Sequence, residues 1–246
     1  MKKILKIILQ YYLKIITKIV LAVHQPVIIA VTGSVNKSFV RDEIKRVLET
    51  KGKTVRANPK NFNTEIGLPL AILNIESGYN SYRRWLPVIA NAVRAIFQKK
   101  FPDYLVLELG VARKGDMRYL LSIVKPKIVI VTDITQRYIE SFSGMNRLVG
   151  EYVYLVNNIQ NDGCIFLNWD NERVRSLKAK AQAQVLYFGK NNFQCDGEIQ
   201  EIKKVADGIM VKMRFKGKKK EMLVRRFGKH HAVAALIGWM IEEEKI

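Results

Sequence analysis

The hydrophobic pattern of this chain changes character at Pro26. Before it, residues 4–23 are almost continuously apolar, interrupted by Lys6, Gln10, Lys14 and Lys18 at intervals of four. On a helix that spacing draws one narrow polar stripe along an otherwise apolar cylinder. After Pro26, residues 27–31 form a short β-branched run, and Val40, Ile44, Val47 and Leu48 predict a helix over 38–50 that stops at Lys51-Gly52. Strand-length apolar runs recur at 104–107, 128–131, 164–167 and 185–188, with helical spacing near 81–100, 116–124 and 145–158. Strands that alternate with helices predict an α/β fold, a mainly parallel sheet with helices on both faces. Residues 193–226 differ: alternating segments around Asp207-Gly208 predict a small antiparallel β element near the C-terminus. A last helix is expected over about 230–243.

Charge adds a second layer to that pattern. The chain has 246 residues, 48% hydrophobic and 26% charged, with a formal net charge of +20. That balance describes a globular chain whose partners are anionic. The basic residues are spread out, with no recognition-helix, zinc-finger or RNP-type motif, so a dedicated nucleic-acid role is disfavoured. The first acidic residue is Asp42. The sequence leaves two readings of the leading segment: an amphipathic helix on an anionic inner membrane surface through residues 1–23, or a helix packed on the domain with its lysines in water. Lysines inside the segment count against a membrane span, and no small-residue cleavage site follows to suggest a signal peptide. In the 81–100 helix, Arg83, Arg84, Arg94, Lys99 and Lys100 make a basic face that is either solvated, the ordinary case, or turned to phosphates or lipid headgroups. Cys164 and Cys195 are far apart and have no metal-ligand spacing, so reduced thiols are expected.

The candidate chemistry lies where the 27–31 strand meets the 38–50 helix. Thr32-Gly33-Ser34-Val35-Asn36-Lys37-Ser38 occupies that junction, where backbone N–H groups and a helix N-terminus form an anion cradle. In such a loop Lys37 can reach the β- and γ-phosphates and the Ser38 hydroxyl can ligate Mg²⁺. The P-loop pattern asks for Gly before the Lys. Asn36 stands there instead, and Asn is among the non-Gly residues that tolerate positive φ best. The fold class is therefore P-loop NTPase-like. An ordinary βα turn remains the alternative for this loop taken alone.

Other segments carry a family resemblance. Asn61-Phe62-Asn63-Thr64-Glu65-Ile66-Gly67-Leu68-Pro69, Val106-Leu107-Glu108-Leu109-Gly110, Leu167-Asn168-Trp169-Asp170 and Gly228-Lys229-His230-His231 follow the loop in order. Together, from 27 to about 236, they resemble the central domain of the bacterial Mur ligases, in particular the type that adds D-alanyl-D-alanine to the peptidoglycan precursor. The resemblance implies ATP and Mg²⁺ as cofactors, and a cell-wall precursor whose carboxylate is phosphorylated before an amine attacks the acyl phosphate. It implies Lys37 and Glu108 as catalytic residues, with Ser38 and Glu108 as ligands of a first and a second Mg²⁺. Asn168 and Asp170 would contact the adenine or ribose, and Asn61, Asn63 and Glu65 would shape the substrate side. For Glu108 the plainer reading is a buried salt-bridge partner.

The chain also departs from that family. Tyr138 and Tyr152 stand where the resemblance leads one to expect a metal-binding His and a carbamylated Lys. Thr135, Ser141 and Ser143 replace glycines, and His231 and Ala234 replace asparagines. A phenol near its usual pKa of about 10 is a poor Mg²⁺ ligand at neutral pH. The expected division is a basic amphipathic helix over 1–25 and the ATP-binding domain over 26–246, without the family's N-terminal and C-terminal domains; a separate C-terminal ligase domain is one implied partner. An ATP-dependent carboxylate–amine ligase is the first functional reading. A degenerate nucleotide-binding or membrane-associated scaffold of the same fold is the alternative.

Overall fold

Along β1 (Val27–Thr32) successive side chains enter two different cores. Ile28 and Ala30 join one apolar cluster, Ile29 and Val31 another, as the two-residue period of a strand buried on both faces requires. The computed structural model describes residues 3–59, 61–79, 81–136, 139–190 and 192–244. Its strands form one sheet in the order β2-β3-β1-β4-β5-β6-β7-β8-β9. The further strands are β2 (Val55–Ala57), β3 (Tyr104–Glu108), β4 (Ile128–Val131), β5 (Cys164–Asn168), β6 (Gln184–Lys190), β7 (Gly197–Val205), β8 (Gly208–Phe215) and β9 (Lys218–Val224). Pairing is parallel from β2 through β7 and antiparallel from β7 to β9. The antiparallel element predicted near the C-terminus is thus an extension of the main sheet.

Helix α2 (Lys37–Thr50) and helix α8 (Lys229–Glu243) cover one face. They bury Val40, Ile44 and Leu48 beside Leu236, Ile237 and Met240. Helices α5 (Asp116–Leu121) and α6 (Met145–Asn157) cover the other, through Met117, Leu120, Leu148 and Leu155. The predicted strands and helices are present with shifts of a few residues at their ends. Among the strands and α-helices three went unpredicted: β2, which is only three residues long, the four-residue α7 (Glu172–Arg175), and α3 (Gly67–Leu73), whose residues 68–73 are all buried. A helix buried all round shows no amphipathic period to read. The short helix α7 (Glu172–Arg175) is capped by the side chain of Asn171.

The leading helix α1 (Lys3–His24) packs on the domain: Leu9, Leu13 and Val20 are buried with Leu70, Leu73, Trp85 and Val88. Trp85 and Val88 belong to α4 (Tyr82–Arg94), and the Tyr12 hydroxyl donates to the Ile89 carbonyl at 2.7 Å. The polar stripe does not face open water throughout. Lys6 pairs with Glu65 at 3.1 Å, and the Lys14 ammonium lies 5.1 Å from the Tyr119 ring centre. α1 also turns apolar side chains outward beside the exposed Lys6 and Lys18: Ile4, Ile8, Tyr11 and Ile15 are each more than half exposed. No helix among the described residues is long and apolar enough to cross a membrane. Both cysteines are buried free thiols.

Candidate nucleotide site

Register brings the candidate residues to one edge of the sheet. Val31 of β1 pairs with Glu108 of β3 on one side, and Thr32 pairs with Val131 of β4 on the other. Leu167 of β5 is level with Val131. The carboxyl ends of β3, β1, β4 and β5 therefore stand in a row, and chain order reverses across β1, the place where open α/β sheets bind ligands.

The loop after β1 has the backbone that its sequence calls for. Gly33 has φ 131 and Asn36 has φ 64, so the position usually taken by Gly in P-loops does need a left-handed residue here. A Cβ at Gly33 would lie 2.9 Å from the Asp133 amide nitrogen, which excludes other residues. The loop is strapped to the segment after β4. Ser34 N donates to Asp133 O at 2.6 Å, Thr135 N donates to Ser34 Oγ at 2.9 Å, and Thr132 Oγ1 donates to Val35 O at 2.7 Å. Thr32 is anchored the other way, its hydroxyl donating to Leu109 O at 2.9 Å. Lys37 opens α2, and its Nζ donates to Gly33 O at 2.7 Å, spanning the loop. Ser38 follows, partly exposed.

At the β3 end, Asn58 clamps the Glu108 backbone on both sides: its Oδ1 accepts from Glu108 N at 2.8 Å and its Nδ2 donates to Glu108 O at 3.1 Å. The Glu108 carboxylate is buried, with Oε1 lying 2.7 Å from Arg41 Nη1. No donor among the described residues meets hydrogen-bond geometry at that oxygen. The contact is therefore an off-axis ion pair, and the separation of opposite charges is what matters. Sequence reasoning did not single out Arg41. Its only signal was position, one helical turn after Lys37.

Of the three substrate-side candidates, the structure places them differently. Glu65 lines a cavity of about 530 Å³ with Lys6, Gln10, Arg113, Lys114 and Tyr119. Burial pulls the Glu65 carboxyl up, but hydrogen bonds at its own backbone and to Lys6 bring it net below the usual range. Asn63 packs on the β3 end, its carbonyl accepting from Gly110 N at 2.9 Å. Asn61 is an exposed turn residue with φ 68 that does not line that cavity.

At the β5 end, Asn168 Nδ2 donates to Asp133 Oδ1 at 3.2 Å, and Asn168 Oδ1 accepts from Asp170 N at 3.0 Å. The Asp170 carboxylate accepts from Lys190 N at 3.1 Å. Asp133 sits at the centre of this polar layer, where burial, opposed by hydrogen bonds from Asn171 and Asn168, raises its carboxyl from 3.8 to about 6. A folded-state pKa above the unfolded one contributes stability that is complete below about 4 and is lost as pH rises through about 6. Unfolding free energies from pH 4 to 7 should therefore fall through this window in the wild type and stay flatter in Asp133→Asn. Equal slopes would remove Asp133 as the cause.

Tyr152 is 2% exposed within α6, with the Ser34 and Thr32 side chains beside its hydroxyl. Burial is the main cause that pushes it to about 12. It is thus a neutral strut under the phosphate loop. Tyr138 lies outside the described residues. His231 and Ala234 line another cavity, of about 540 Å³, with Phe39, Asp42, Glu43 and Arg226; burial and then the neighbouring His230 and Arg226 lower the His231 pKa, so it is neutral there.

These side chains fit the implied cofactors unequally. A hydroxyl beside the phosphate-loop lysine suits a Mg²⁺ held mostly by phosphate and water, and Ser38 supplies one. The Glu108 carboxylate, expected as a ligand of a second ion, is paired here with the Arg41 guanidinium, the arrangement of the plainer salt-bridge reading, and the Tyr152 phenol is protonated. No group of three or more His, Cys, Asp or Glu among the described residues could hold a metal.

A phosphate-type loop between the first strand and its helix, at the switch point of a parallel sheet, defines a P-loop-like α/β domain. The chain belongs to the Mur ligase middle domain family, whose model matches residues 87–241. Curated relatives include the UDP-N-acetylmuramoyl-tripeptide–D-alanyl-D-alanine ligase of Borreliella burgdorferi, 28% identical over 172 residues, covering 67% of this chain and 31% of that protein. The ligase of the same description from Bacillus subtilis is 22% identical over 209 residues, covering 85% of this chain and 39% of its own length. The chain thus spans about a third of the relatives it matches. Among solved structures, MurF from Acinetobacter baumannii superposes with a TM-score of 0.77 at 16% identity, over 96% of this chain and 47% of that one. MurF ligase from Thermotoga maritima in complex with ADP gives 0.76 at 17%, over 96% and 49%. At these identities the structural likeness establishes the fold.

Proposed function

We propose that this chain is the ATP-binding domain of a Mur-type ligase that joins a carboxylate to an amine in peptidoglycan precursor synthesis. The observation that carries the reading is the loop itself: Gly33 and Asn36 at positive φ, with Lys37 opening α2 at the sheet's switch point. The ADP bound to the Thermotoga relative and the ligase activity in the curated relatives' names support it. Phosphoryl transfer of this kind relies on positioning and charge neutralisation. Lys37 would leave the Gly33 carbonyl for the γ-phosphate as a substrate carboxylate oxygen attacks phosphorus and ADP departs. An amine then attacks the acyl carbon and expels phosphate. Mg²⁺, held by Ser38 and the phosphates, would supply further neutralisation. Asn168 and Asp170 would meet the base or ribose, and the basic cavity around Glu65, Arg113 and Lys114 would receive the acidic precursor. Isothermal titration with ATP, with and without Mg²⁺, tests the reading: micromolar binding that depends on Mg²⁺ is expected, and no binding to either form removes it.

Residues 26–246 form the nucleotide domain in this reading, and the parts of the relatives beyond the shared segment would complete the ligase and supply the amine site. Residues 1–25 would add a contact with the inner face of the membrane, from the cytoplasmic side. No acidic residue occurs in 1–41 or 77–102, and α1 and α4 expose Ile4, Ile8, Ile15, Leu86 and Val93 amid lysines and arginines. Basic clusters beside apolar side chains favour anionic bilayers. Co-sedimentation with vesicles containing phosphatidylglycerol, reduced by salt and lost on zwitterionic vesicles, is expected. Failure to sediment with the anionic vesicles at low salt ends this part of the reading.

A further inference from the structure

The phosphate loop has a cation of its own beneath Lys37. Arg41 lies four residues further along α2, so both side chains leave the same helix face. Its side chain is only 10% exposed and its donors are committed: Nη1 to Asn58 O at 2.8 Å, Nε and Nη2 to Asp42 Oδ1 at 2.8 and 2.7 Å. The Nη1 atom also stands 2.7 Å from Glu108 Oε1, and the Glu108 side chain is 7% exposed. Asn58 holds both partners, accepting from Arg41 through its carbonyl and bracketing the Glu108 backbone through its amide.

We infer that the Arg41 guanidinium is the resident cation at the Glu108 end of the site, so that ATP is bound with one divalent ion and not two. The inference rests on the proposed nucleotide-binding function and deepens it. A guanidinium stays charged at any pH the protein meets. A divalent ion at Glu108 would have to share the carboxylate with that fixed charge and be repelled by it, and an ion that displaced Arg41 would leave a buried positive charge without its partner. Tyr152, buried beside Ser34 and Thr32, offers such an ion no anionic ligand, since burial keeps its phenol protonated. Arg41 thus supplies, as a fixed part of the fold, a positive charge next to the strand end where the phosphoryl group would be transferred.

Counting bound Mn²⁺ by electron paramagnetic resonance, in protein saturated with a non-hydrolysable ATP analogue, decides the matter. The wild type is expected to hold one Mn²⁺ per analogue. Arg41→Met should gain a second site, at least tenfold tighter than any second binding in the wild type, and Arg41→Met/Glu108→Gln should lose it again. Two tight ions in the wild type, or a single ion retained in Arg41→Met with its circular-dichroism melt intact, overturns the inference while leaving ATP binding in place. Absence of analogue binding by the wild type overturns the nucleotide reading as well, which separates the two failures. The wild-type count stands even if the variants fold poorly.

Discussion

Replacing Lys37 by Ala is expected to weaken ATP binding by about tenfold to a hundredfold. A hydrogen bond to a charged group contributes about 1.5–3 kcal/mol, and each 1.4 kcal/mol is a factor of ten in affinity. Lys37 is the one side chain of the loop whose ammonium spans it, with its present contact to Gly33 O at 2.7 Å. Lys45 provides the control. It sits on the outer side of the same helix, 41% exposed and 3.7 Å from Glu49, an exposed pair of the kind that contributes little. Lys45→Ala should titrate with ATP as the wild type does. Equal affinity for wild type and Lys37→Ala would remove the phosphate-loop assignment, because no other feature of the loop is specific to polyphosphate.

Truncating Leu13 tests the leading helix in the same direct way. Leu13 is fully buried against the cluster of Leu70, Leu73, Trp85 and Val88. Leu→Ala at such a site costs about 2–5 kcal/mol, the lost transfer free energy plus the cavity left behind. For a chain of this size Tm should drop by about 2–4 °C per kcal/mol. Ile8, 60% exposed on the opposite side of α1, should change stability by no more than about 0.5 kcal/mol when replaced by Ala. A Leu13→Ala protein that melts with the wild type would mean that α1 contributes nothing to the folded domain.

Helix α1 also illustrates how far a pattern can be read. Its period of four correctly marks a helix with a lysine stripe, and a lysine in water and a lysine at a membrane look identical in sequence. The structure has the helix packed on the domain, with Lys6 and Lys14 turned to Glu65 and Tyr119 and Lys18 exposed among apolar side chains that also face outward. Asn36 is the converse case: a residue type tolerant of positive φ was enough to anticipate the observed φ of 64. The charge layer at the β5 end was half legible. Asn168 and Asp170 were visible as a motif, whereas Asp133 acquires its raised pKa only through burial in the fold, against the opposing hydrogen bonds from Asn171 and Asn168.

By itself the sequence determined the local chemistry. Strand-length runs, helical periods, the loop of Thr32 to Ser38 and the family are all consequences of which residues are neighbours along the chain. What the tertiary structure alone decided is which polar groups meet: the charges of Arg41 and Glu108, 67 positions apart by their numbering, and the neutral Tyr152 beside Thr32 and Ser34. The reason is physical. Backbone preference and hydrophobic periodicity act within a few residues, but a buried charge needs a counter-charge wherever the sheet order happens to bring one.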